Sequence, residues 1–316
     1  MNDGLDTKRV PQKPVGRGAV VVTGASSGIG RACALKLARS GFHVFAGVRK
    51  EEDAQTLQDA ATGRLTPLLL DVTDPDLIAS AVETVTETVG EDGLAGLVNN
   101  AGVGVAWPLE LVPIDELRRQ FEVNVFGQLS VTQAFLPLIR AGRGRIVNIG
   151  SVGGWLTIPF GGPLCASKHA LKSFNDALRM ELHPWGIYVS LIEPGAISTR
   201  AVDKLEAGVE GTIEEFPVPG RSRYADAFRI MTKRATAHER SGSPPEVVAE
   251  AVLHAMTAKR PKARYPVGAG SRLQSILARV LPDRLLDQML IRTLGLPARF
   301  GAWQTEDTEP SYAMRR

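Results

Sequence analysis

Apolar runs alternate with helical patterns along most of the chain, and this alternation restricts the possible folds more than any other feature. Seven short apolar runs are typical of strands, at 19–22, 42–48, 68–70, 94–98, 145–149, 187–192 and 264–267. Helical spacing separates them, notably at 75–90, 114–139, 163–183 and 245–258. Such alternation predicts βαβ units and a parallel sheet. We therefore expect a doubly wound α/β Rossmann fold, with about seven parallel strands and helices on both faces.

Residues 196–243 interrupt this rhythm, because they have little strand pattern and contain several Gly, Pro and charged residues. Ligands of open α/β sheets bind beyond the carboxyl ends of the strands, so we predict that this irregular insert is a substrate lid. We expect a single domain over 17–300, a flexible tail at 1–16 and a loose tail at 301–316. A late apolar stripe predicts core or dimer packing, with a membrane-surface role as the alternative: Leu273, Ile276, Leu277, Val280 and Leu281.

Composition excludes several classes of protein. The net charge of +3 is small and scattered, which does not favour nucleic-acid binding. Two cysteines, Cys33 and Cys165, provide neither a disulfide framework nor a metal site, and they indicate a reducing compartment. No run of about 18 apolar residues is present, so we expect no transmembrane span. These features predict a soluble, cytoplasmic protein.

A glycine-rich segment, Thr23–Gly30, joins the first predicted strand to a helix. Glycine lets the backbone approach a bound group closely, and a helix N-terminus offers unpaired N–H groups to an anion. In this context we expect the segment to bind the pyrophosphate of a dinucleotide, although its spacing is G-x-x-x-G-x-G rather than G-x-G-x-x-G. The candidate contacts are Gly24, Ser26, Ser27, Gly28, Ile29 and Gly30.

The end of the second strand indicates which dinucleotide binds. An acidic side chain there would hold a ribose 2′-hydroxyl, whereas an arginine suits a 2′-phosphate. The strand ends at Arg49 and Lys50 without an acid, and a guanidinium can pair with phosphate through two hydrogen bonds. We therefore predict NADP(H), with NAD(H) as the alternative. Asp71, beside the Val72 backbone, would then hold the adenine edge, unless it only caps the third strand.

The spacing of the glycine turn and five later motifs resembles the short-chain dehydrogenase/reductase family. The later motifs are Asn99-Asn100-Ala101-Gly102, Asn124, Ser151, Lys168, and Pro194-Gly195 followed by Thr199. The resemblance covers about residues 17–200. Beyond them the chain is less firmly similar to the retinol and hydroxysteroid dehydrogenase branch, supported by Tyr265-Pro266-Val267-Gly268. The resemblance implies cofactor contacts at Asn99, Ala101, Gly102, Lys168, Pro194, Gly195 and Thr199, and a homodimer or homotetramer built on helices around 113–139 and 160–183.

The resemblance also implies catalytic roles. Ser151 would polarise a substrate carbonyl, Lys168 would hold the nicotinamide ribose, and Asn124 would anchor a relay water. In the family a tyrosine four residues before the lysine donates the proton, but here that position is Leu164, which has no donor. Loss of a positioned general acid costs roughly 10²–10⁴-fold in rate. Cys165 is no substitute, because one residue turns about 100° around a helix and its thiol should face away.

Three explanations of Leu164 stay open. The leucine could be an introduced substitution in an ordinary reductase. It could belong to a natural family member with different chemistry, either a non-redox step or a reduction in which water is the acid through Lys168. It could also mark a pseudoenzyme that binds nucleotide and signals or scaffolds. Retention of Ser151 and Asn124 argues against decay of the site.

The sequence indicates the substrate only by the apolar residues near the predicted serine. Gly153, Trp155 and Phe160, together with the lid, are expected to line its site. They suit a bulky apolar carbonyl or alcohol such as a steroid, retinoid or polyketide-like ketone. The alternative is that they are ordinary core residues.

Overall fold

The computed structural model describes residues 17–297 and 300, and the predicted tails at 1–16 and 301–316 lie outside these residues. Seven parallel strands form one sheet in the order β3-β2-β1-β4-β5-β6-β7, as expected for a doubly wound fold. The strands are β1 Ala19–Val22, β2 His43–Val48, β3 Leu65–Leu69, β4 Leu94–Asn99, β5 Arg145–Ile149, β6 Tyr188–Pro194 and β7 Arg264–Val267. The predicted fold class is therefore confirmed.

Helices cover both faces of this sheet. They are α1 Gly28–Arg39, α2 Glu51–Asp59, α3 Pro75–Val89, α4 Ile114–Phe121, α5 Gly127–Ala141, α6 Gly162–Glu181, α7 Arg200–Ala207, α8 Val209–Glu214, α9 Val218–Arg240, α10 Glu246–Thr257, α11 Ser271–Val280 and α12 Asp283–Thr293. The long helix predicted at 114–139 is α4 and α5, joined by a π-helical segment, Glu122–Phe126. Helix α2 was not predicted from the sequence, because its residues are mostly polar.

The strands alternate their side chains between two cores. Val20 and Val22 of β1 pack with α1 and α10 on one face, whereas Val21 packs with α3 and α5 on the other. Both sides are apolar because successive strand residues point to opposite faces and each face is covered.

The sequence predicted that the insert at 196–243 is irregular. That prediction is wrong, because the insert folds largely into α7, α8 and α9. These helices bury Ile213, Phe216 and Phe228 against Trp107 and Phe160 in a third apolar cluster. Burial of these aromatic rings stabilises α8 and α9, which were not predicted from the sequence. The insert covers the chain that follows β4 and β5, beyond the carboxyl ends of those strands.

The apolar stripe of the last helices is not core. Leu273, Ile276 and Val280 of α11 are exposed, while Leu277 and Leu281 are half-buried. In the part of the chain that the structure describes, no helix has both the length and the apolar character needed to cross a bilayer.

Candidate active site

The glycine turn after β1 is packed directly against the turn after β4. Gly24 has a φ of +63°, and a Cβ on it would lie only 2.8 Å from Ala101 Cα. A Cβ on Gly30 would collide with the Gly24 carbonyl oxygen and with the Asn100 amide. That amide donates hydrogen bonds to the carbonyl oxygens of Thr23 and Gly24, each at 3.0 Å. The two glycines are therefore required by the packing, and Asn100, which was not predicted as a site residue, holds the turn.

The N-terminus of α1 is exposed at this turn. Ser27, its N-cap, is extended and makes no side-chain capping bond within the described structure, while Ser26 is half-buried and Ile29 packs against the core. The first N–H groups of a helix lack internal partners and attract anions. A Cβ on Gly28 would contact the Thr199 side chain at 3.5 Å, so the motif after β6 reaches the same turn. These groups form a cradle that fits a pyrophosphate.

The same motif is anchored at the end of β6. Pro194 is buried in the strand, and a Cβ on Gly195 would collide with the carbonyl oxygen of Ala269. Gly195 therefore lets the chain pass close to the turn between β7 and α11. This close passage directs Thr199 back towards the glycine turn.

The predicted adenosine end lies at the carboxyl ends of β2 and β3. Arg49 is exposed and has no hydrogen bond or ion pair among the described residues. One carboxylate oxygen of Asp71 accepts hydrogen bonds from the Thr73 N–H at 2.9 Å and hydroxyl at 2.8 Å. Val72 is buried, and its carbonyl oxygen would be 2.6 Å from a Cβ on Gly127. Arg49 is thus free to pair with a phosphate, while Asp71 already caps a turn.

Asn99 differs from its neighbours in the predicted Asn-Asn-Ala-Gly motif. Its side chain is buried inside the sheet and donates to Thr132 Oγ1 at 2.8 Å and Asn148 Oδ1 at 2.9 Å. Only its backbone could contact a cofactor. Ala101, by contrast, lies in the turn beside Gly24, and Gly102 lies beside the Asn124 side chain.

Ser151 and Lys168 meet at the carboxyl end of β5. The Ser151 hydroxyl oxygen accepts a hydrogen bond from the Gly153 N–H at 2.9 Å. The Lys168 ammonium donates to the carbonyl oxygen of Ile149 at 3.0 Å, two residues before the serine. Burial lowers the pKa of Lys168 from 10.5 to about 8, because no carboxylate offsets the loss of water around the ammonium. An ammonium whose charge is disfavoured by burial therefore lies at the end of the strand that leads to Ser151.

Asn124 sits in the π-helical segment between α4 and α5. Its side-chain oxygen accepts from the Val103 N–H at 2.8 Å, and its amide donates to the Val103 carbonyl at 2.9 Å and to Ser167 Oγ at 3.1 Å. Because the side chain is fully used in holding the loop after β4, a relay water would have to contact the Asn124 backbone. A π-helical turn frees backbone carbonyls from their usual α-helical partners, and such turns are frequent at functional sites.

Gln120, one turn earlier, holds the same loop and was not predicted. Its side-chain oxygen accepts from the Val105 N–H, and its amide donates to the Val103 carbonyl, both at 2.7 Å. In the sequence, Gln120 stands four residues before Asn124, on the same face of the predicted helix, and this spacing is the signal that could have identified it.

Leu164 occupies the first turns of α6, one turn before Lys168. The side chain is half-buried, and its Cδ2 would be 3.9 Å from a Cβ on Gly104 in the loop after β4. Its carbonyl oxygen accepts from Ser167 Oγ at 2.7 Å. The side chain therefore stands between α6 and that loop and brings no donor to the site.

The prediction that the Cys165 thiol faces away from the site is wrong. A Cβ on Gly153 would lie 3.4 Å from Cys165 Sγ and 3.3 Å from Ser151 Oγ, so thiol and hydroxyl approach the same point. The turn at 152–154 folds back onto the start of α6, and the thiol therefore faces the serine turn. Burial raises the pKa of Cys165, which keeps the thiol protonated.

Of the three predicted substrate residues, only Gly153 adjoins Ser151. The Trp155 indole donates to Glu193 Oε1 at 2.6 Å, and the Arg279 guanidinium of α11 lies 3.8 Å from its ring centroid. The expectation that Trp155 lines the substrate site is therefore wrong, because its polar edge is drawn to the buried Glu193 carboxylate. Phe160 lies under the lid, 5.7 Å from the Phe228 ring in edge-to-face contact.

Glu110 ties the lid to the loop after β4. The Arg223 guanidinium donates to its Oε1 at 2.8 Å, and the Tyr224 hydroxyl donates to its Oε2 at 2.6 Å. Burial and the Glu110 carboxylate together raise the pKa of Tyr224 to about 12. These contacts were not predicted, since the partners are more than a hundred residues apart.

A cavity of about 400 Å³ lies elsewhere, at the amino end of β6, and it contains none of the predicted site residues. Its lining includes Arg179, His183 and Tyr188. We place the candidate site at the opposite edge, because parallel α/β sheets bind ligands at their carboxyl edge.

Comparisons with known proteins agree with this site. Residues 18–210 match the family described as "short chain dehydrogenase". The "NADPH-dependent 3-dehydrocapnine reductase" of Ornithobacterium rhinotracheale is 39% identical over 279 residues, covering 87% of this chain and 96% of that protein. "Retinol dehydrogenase 5" of Mus musculus is 37% identical over 292 residues, which cover 90% of this chain and 92% of that protein. A solved short-chain dehydrogenase from Streptomyces avermitilis is 29% identical, with a TM-score of 0.68, and the match covers 87% of this chain and 94% of that one.

Proposed function

This chain belongs to the short-chain dehydrogenase/reductase family of oxidoreductases, and we propose that it interconverts a hydroxyl and a carbonyl with NADP(H), at a rate limited by Leu164. The observation that supports this proposal most is that the glycine turn lies at the same edge of the sheet as Ser151 and Lys168. The glycine turn lies at the end of β1, and Ser151 and Lys168 lie at the end of β5, two strands away in the sheet. Both are at the carboxyl edge, where the strand order reverses.

NADP(H) is preferred to NAD(H) because of the charge at the end of β2. The Arg49 side chain is exposed there and has no partner among the described residues. No acidic residue stands at the end of β2 to hold a ribose 2′-hydroxyl. A relative over most of the chain is named as NADPH-dependent. The residues that hold the cofactor are proposed to be the glycine turn, Thr199 and Arg49, with the Asp71–Val72 backbone at the adenine.

The bonding around Ser151 prepares it to polarise a carbonyl. Its oxygen already accepts the Gly153 N–H, so its own hydroxyl hydrogen can be donated to a substrate oxygen. Bound NADPH supplies the hydride that reduces the carbonyl carbon. The Lys168 ammonium, with a pKa of about 8, is mostly protonated at pH 7 and can supply a proton to the substrate oxygen through a water. This route replaces the tyrosine that Leu164 excludes.

The substrate is proposed to be bulky and apolar. Phe160 and Phe228 lie in the aromatic cluster between the lid and the carboxyl edge, and a site closed by aromatic side chains favours apolar ligands. The relative named for retinol, an apolar alcohol, supports this class.

A second candidate function is nucleotide binding without redox chemistry, as in a non-redox enzyme or a scaffold. The specific observation that favours it is Leu164, since an intact cradle beside a site without its acid can bind a dinucleotide and leave it unchanged. The two functions differ in whether bound NADPH is oxidised.

The test compares the chain with Leu164→Tyr and Leu164→Phe, using NADPH and a panel of apolar ketones. Phenylalanine brings the ring without the hydroxyl and is the matched control. We expect all three to bind NADPH, and Leu164→Tyr alone to raise the turnover by roughly 10²–10⁴-fold. If the tyrosine and phenylalanine variants bind but neither turns over, the reductase proposal is wrong and the binding function is supported.

The cofactor preference is tested at Arg49. We expect Arg49→Ala to weaken NADPH binding by roughly 10–100-fold, because charged hydrogen bonds to the 2′-phosphate contribute about 1.5–3 kcal/mol. NADH binding should hardly change, and Lys50→Ala, one residue along, is the control. Titration of nucleotide fluorescence measures both constants. An equal loss for NADPH and NADH would contradict the assignment.

A further inference from the structure

Helix α11 is turned with its apolar side away from the protein. Ser271 and Ser275 are its buried residues, at 1% and 6% exposure. Leu273, Ile276 and Val280 are 61%, 48% and 68% exposed. At about 100° per residue, these three side chains form one stripe opposite the two serines. Surface helices ordinarily bury their apolar stripe, so this inverted arrangement calls for a partner outside the described residues.

Specific bonds fix this orientation. The Ser271 hydroxyl donates to the Glu193 carbonyl at 2.6 Å, at the end of β6. The Ser275 hydroxyl donates to the Ser271 carbonyl at 2.7 Å, and Arg279 lies over the Trp155 ring. A rotation that buried Leu273, Ile276 and Val280 would break the hydrogen bond from Ser271 to β6 and the contact of Arg279 with the indole.

The charge of the helix complements an anionic surface. α11 contains Arg272 and Arg279 and no acidic residue. Both arginines lie on one flank of the apolar stripe, because they are seven residues apart. The following helix also exposes an apolar side chain, Leu285 at 51%, but it contains Asp283 and Asp287 as well as arginines. Arginines beside an apolar stripe are characteristic of helices that lie in a membrane interface.

We propose that the apolar stripe of α11 docks reversibly on the surface of an anionic lipid bilayer. Three side chains on one ten-residue helix offer much less area than the roughly 800 Å² per partner of a stable protein interface. In an antiparallel two-fold contact between copies, the two arginine flanks would also lie on the same side. The interface of a bilayer needs only a narrow apolar stripe with basic neighbours, and each arginine gains from anionic headgroups.

Docking of this kind orients the site. α11 begins directly after β7, at the carboxyl edge of the sheet, and Arg279 contacts the tryptophan that follows the Ser151 turn. The bilayer surface therefore faces the edge that carries the lid. This second step rests on the proposed function, since it lets an apolar substrate pass from the lipid to the site.

The experiment is co-sedimentation of the full chain with vesicles of phosphatidylglycerol and phosphatidylcholine, compared with phosphatidylcholine alone. The variant is the triple change Leu273→Ser, Ile276→Ser and Val280→Ser. Its matched control changes three exposed apolar residues at the opposite, amino edge of the sheet, Met180→Ser, Trp185→Ser and Tyr188→Ser. We expect the chain and the control to bind the anionic vesicles. The triple variant should bind at least about tenfold more weakly, and high salt should weaken binding of the parent.

Equal binding by the triple variant, or no binding by the parent chain, overturns the proposal. A dimer without lipid that only the triple variant loses also overturns it and assigns the stripe to a second copy. Unchanged melting temperatures establish that both triple variants are folded. The measurement needs neither cofactor nor turnover, so its failure leaves the proposed reductase function untouched.

Discussion

At the scale of a single residue, the proposed chemistry depends most on Lys168. Its ammonium is held by a backbone carbonyl and not by a carboxylate, so burial disfavours the charge and lowers the pKa to about 8. In the unfolded chain the pKa returns to its usual 10.5, so the folded protein binds fewer protons between pH about 8 and 10.5. This lysine therefore opposes folding below pH 8, and the opposition fades as the pH rises through that window.

The same pKa predicts how reduction depends on pH. If the ammonium supplies the proton, turnover of the Leu164 chain with NADPH falls as the pH rises through about 8. Lys168→Arg keeps the charge but does not titrate in this range, so its profile should be flat there, at whatever activity it retains. Steady-state rates between pH 6 and 9.5 measure both profiles. A parent rate that does not change across pH 8 would exclude Lys168 as the acid.

Residue types could be predicted here better than side-chain directions. The glycine turn, Ser151 and Lys168 were found because their spacing is characteristic. Trp155 and Cys165 were misplaced because their directions depend on tertiary contacts, with Glu193 for the indole and with the turn at 152–154 for the thiol. No local pattern reports a contact between segments so far apart in sequence.

At the scale of elements, Glu110 is a polar latch between α9 and the loop after β4, in addition to the aromatic contacts of the third cluster. Glu110 accepts from both Arg223 and Tyr224. We expect Glu110→Gln to loosen the lid, and because an exposed ion pair contributes about 0.2–1 kcal/mol, KM should rise by up to about fivefold. The measurement is KM for the ketone in the Leu164→Tyr background, with NADPH affinity unchanged.

The control for the latch is Glu210→Gln, which removes an exposed ion pair between Glu210 and Arg229 inside the lid. It should leave KM as it is, whereas Glu110→Gln should also speed proteolytic cleavage within α9. Equal KM values for the two variants would show that Glu110 does not hold the lid closed.

The elements that the sequence did not predict were missed for different physical reasons. α8 and α9 pack in the third cluster through Ile213, Phe228 and Met231, but the Gly and Pro residues within 208–220 interrupt the helical pattern where these helices begin. α2 has one buried residue, Leu57, and so has little apolar period. The π-helical segment was read as ordinary helix, because one inserted residue does not disturb the apolar pattern enough to be seen.

At the scale of the whole molecule, the assembly and boundaries stay predictions: one domain over 17–300, the cytoplasm, and a homodimer or homotetramer. The predicted interface helices correspond to α4–α5 and α6, and both carry exposed apolar side chains, Phe126 and Met180. We expect sedimentation to give two or four times the chain mass of 33.9 kDa, and Phe126→Lys to lower it. Leu69→Lys, on β3, is the control. A monomeric parent at micromolar concentration would contradict this.

The packing of the glycine turn has a consequence for how the protein forms. Thr23 accepts hydrogen bonds from the N–H groups of Asn100 and Ala101, and Gly28 touches Thr199. The cradle is thus closed by chain made long after the turn itself, since β1 pairs with β4 as well as with β2 and the bond from Asn100 to Thr23 spans 77 residues. Such non-local closure is slow. A nascent chain completes this cradle only after β6 has formed and Thr199 has returned to the turn, so nucleotide capture is a late event in folding.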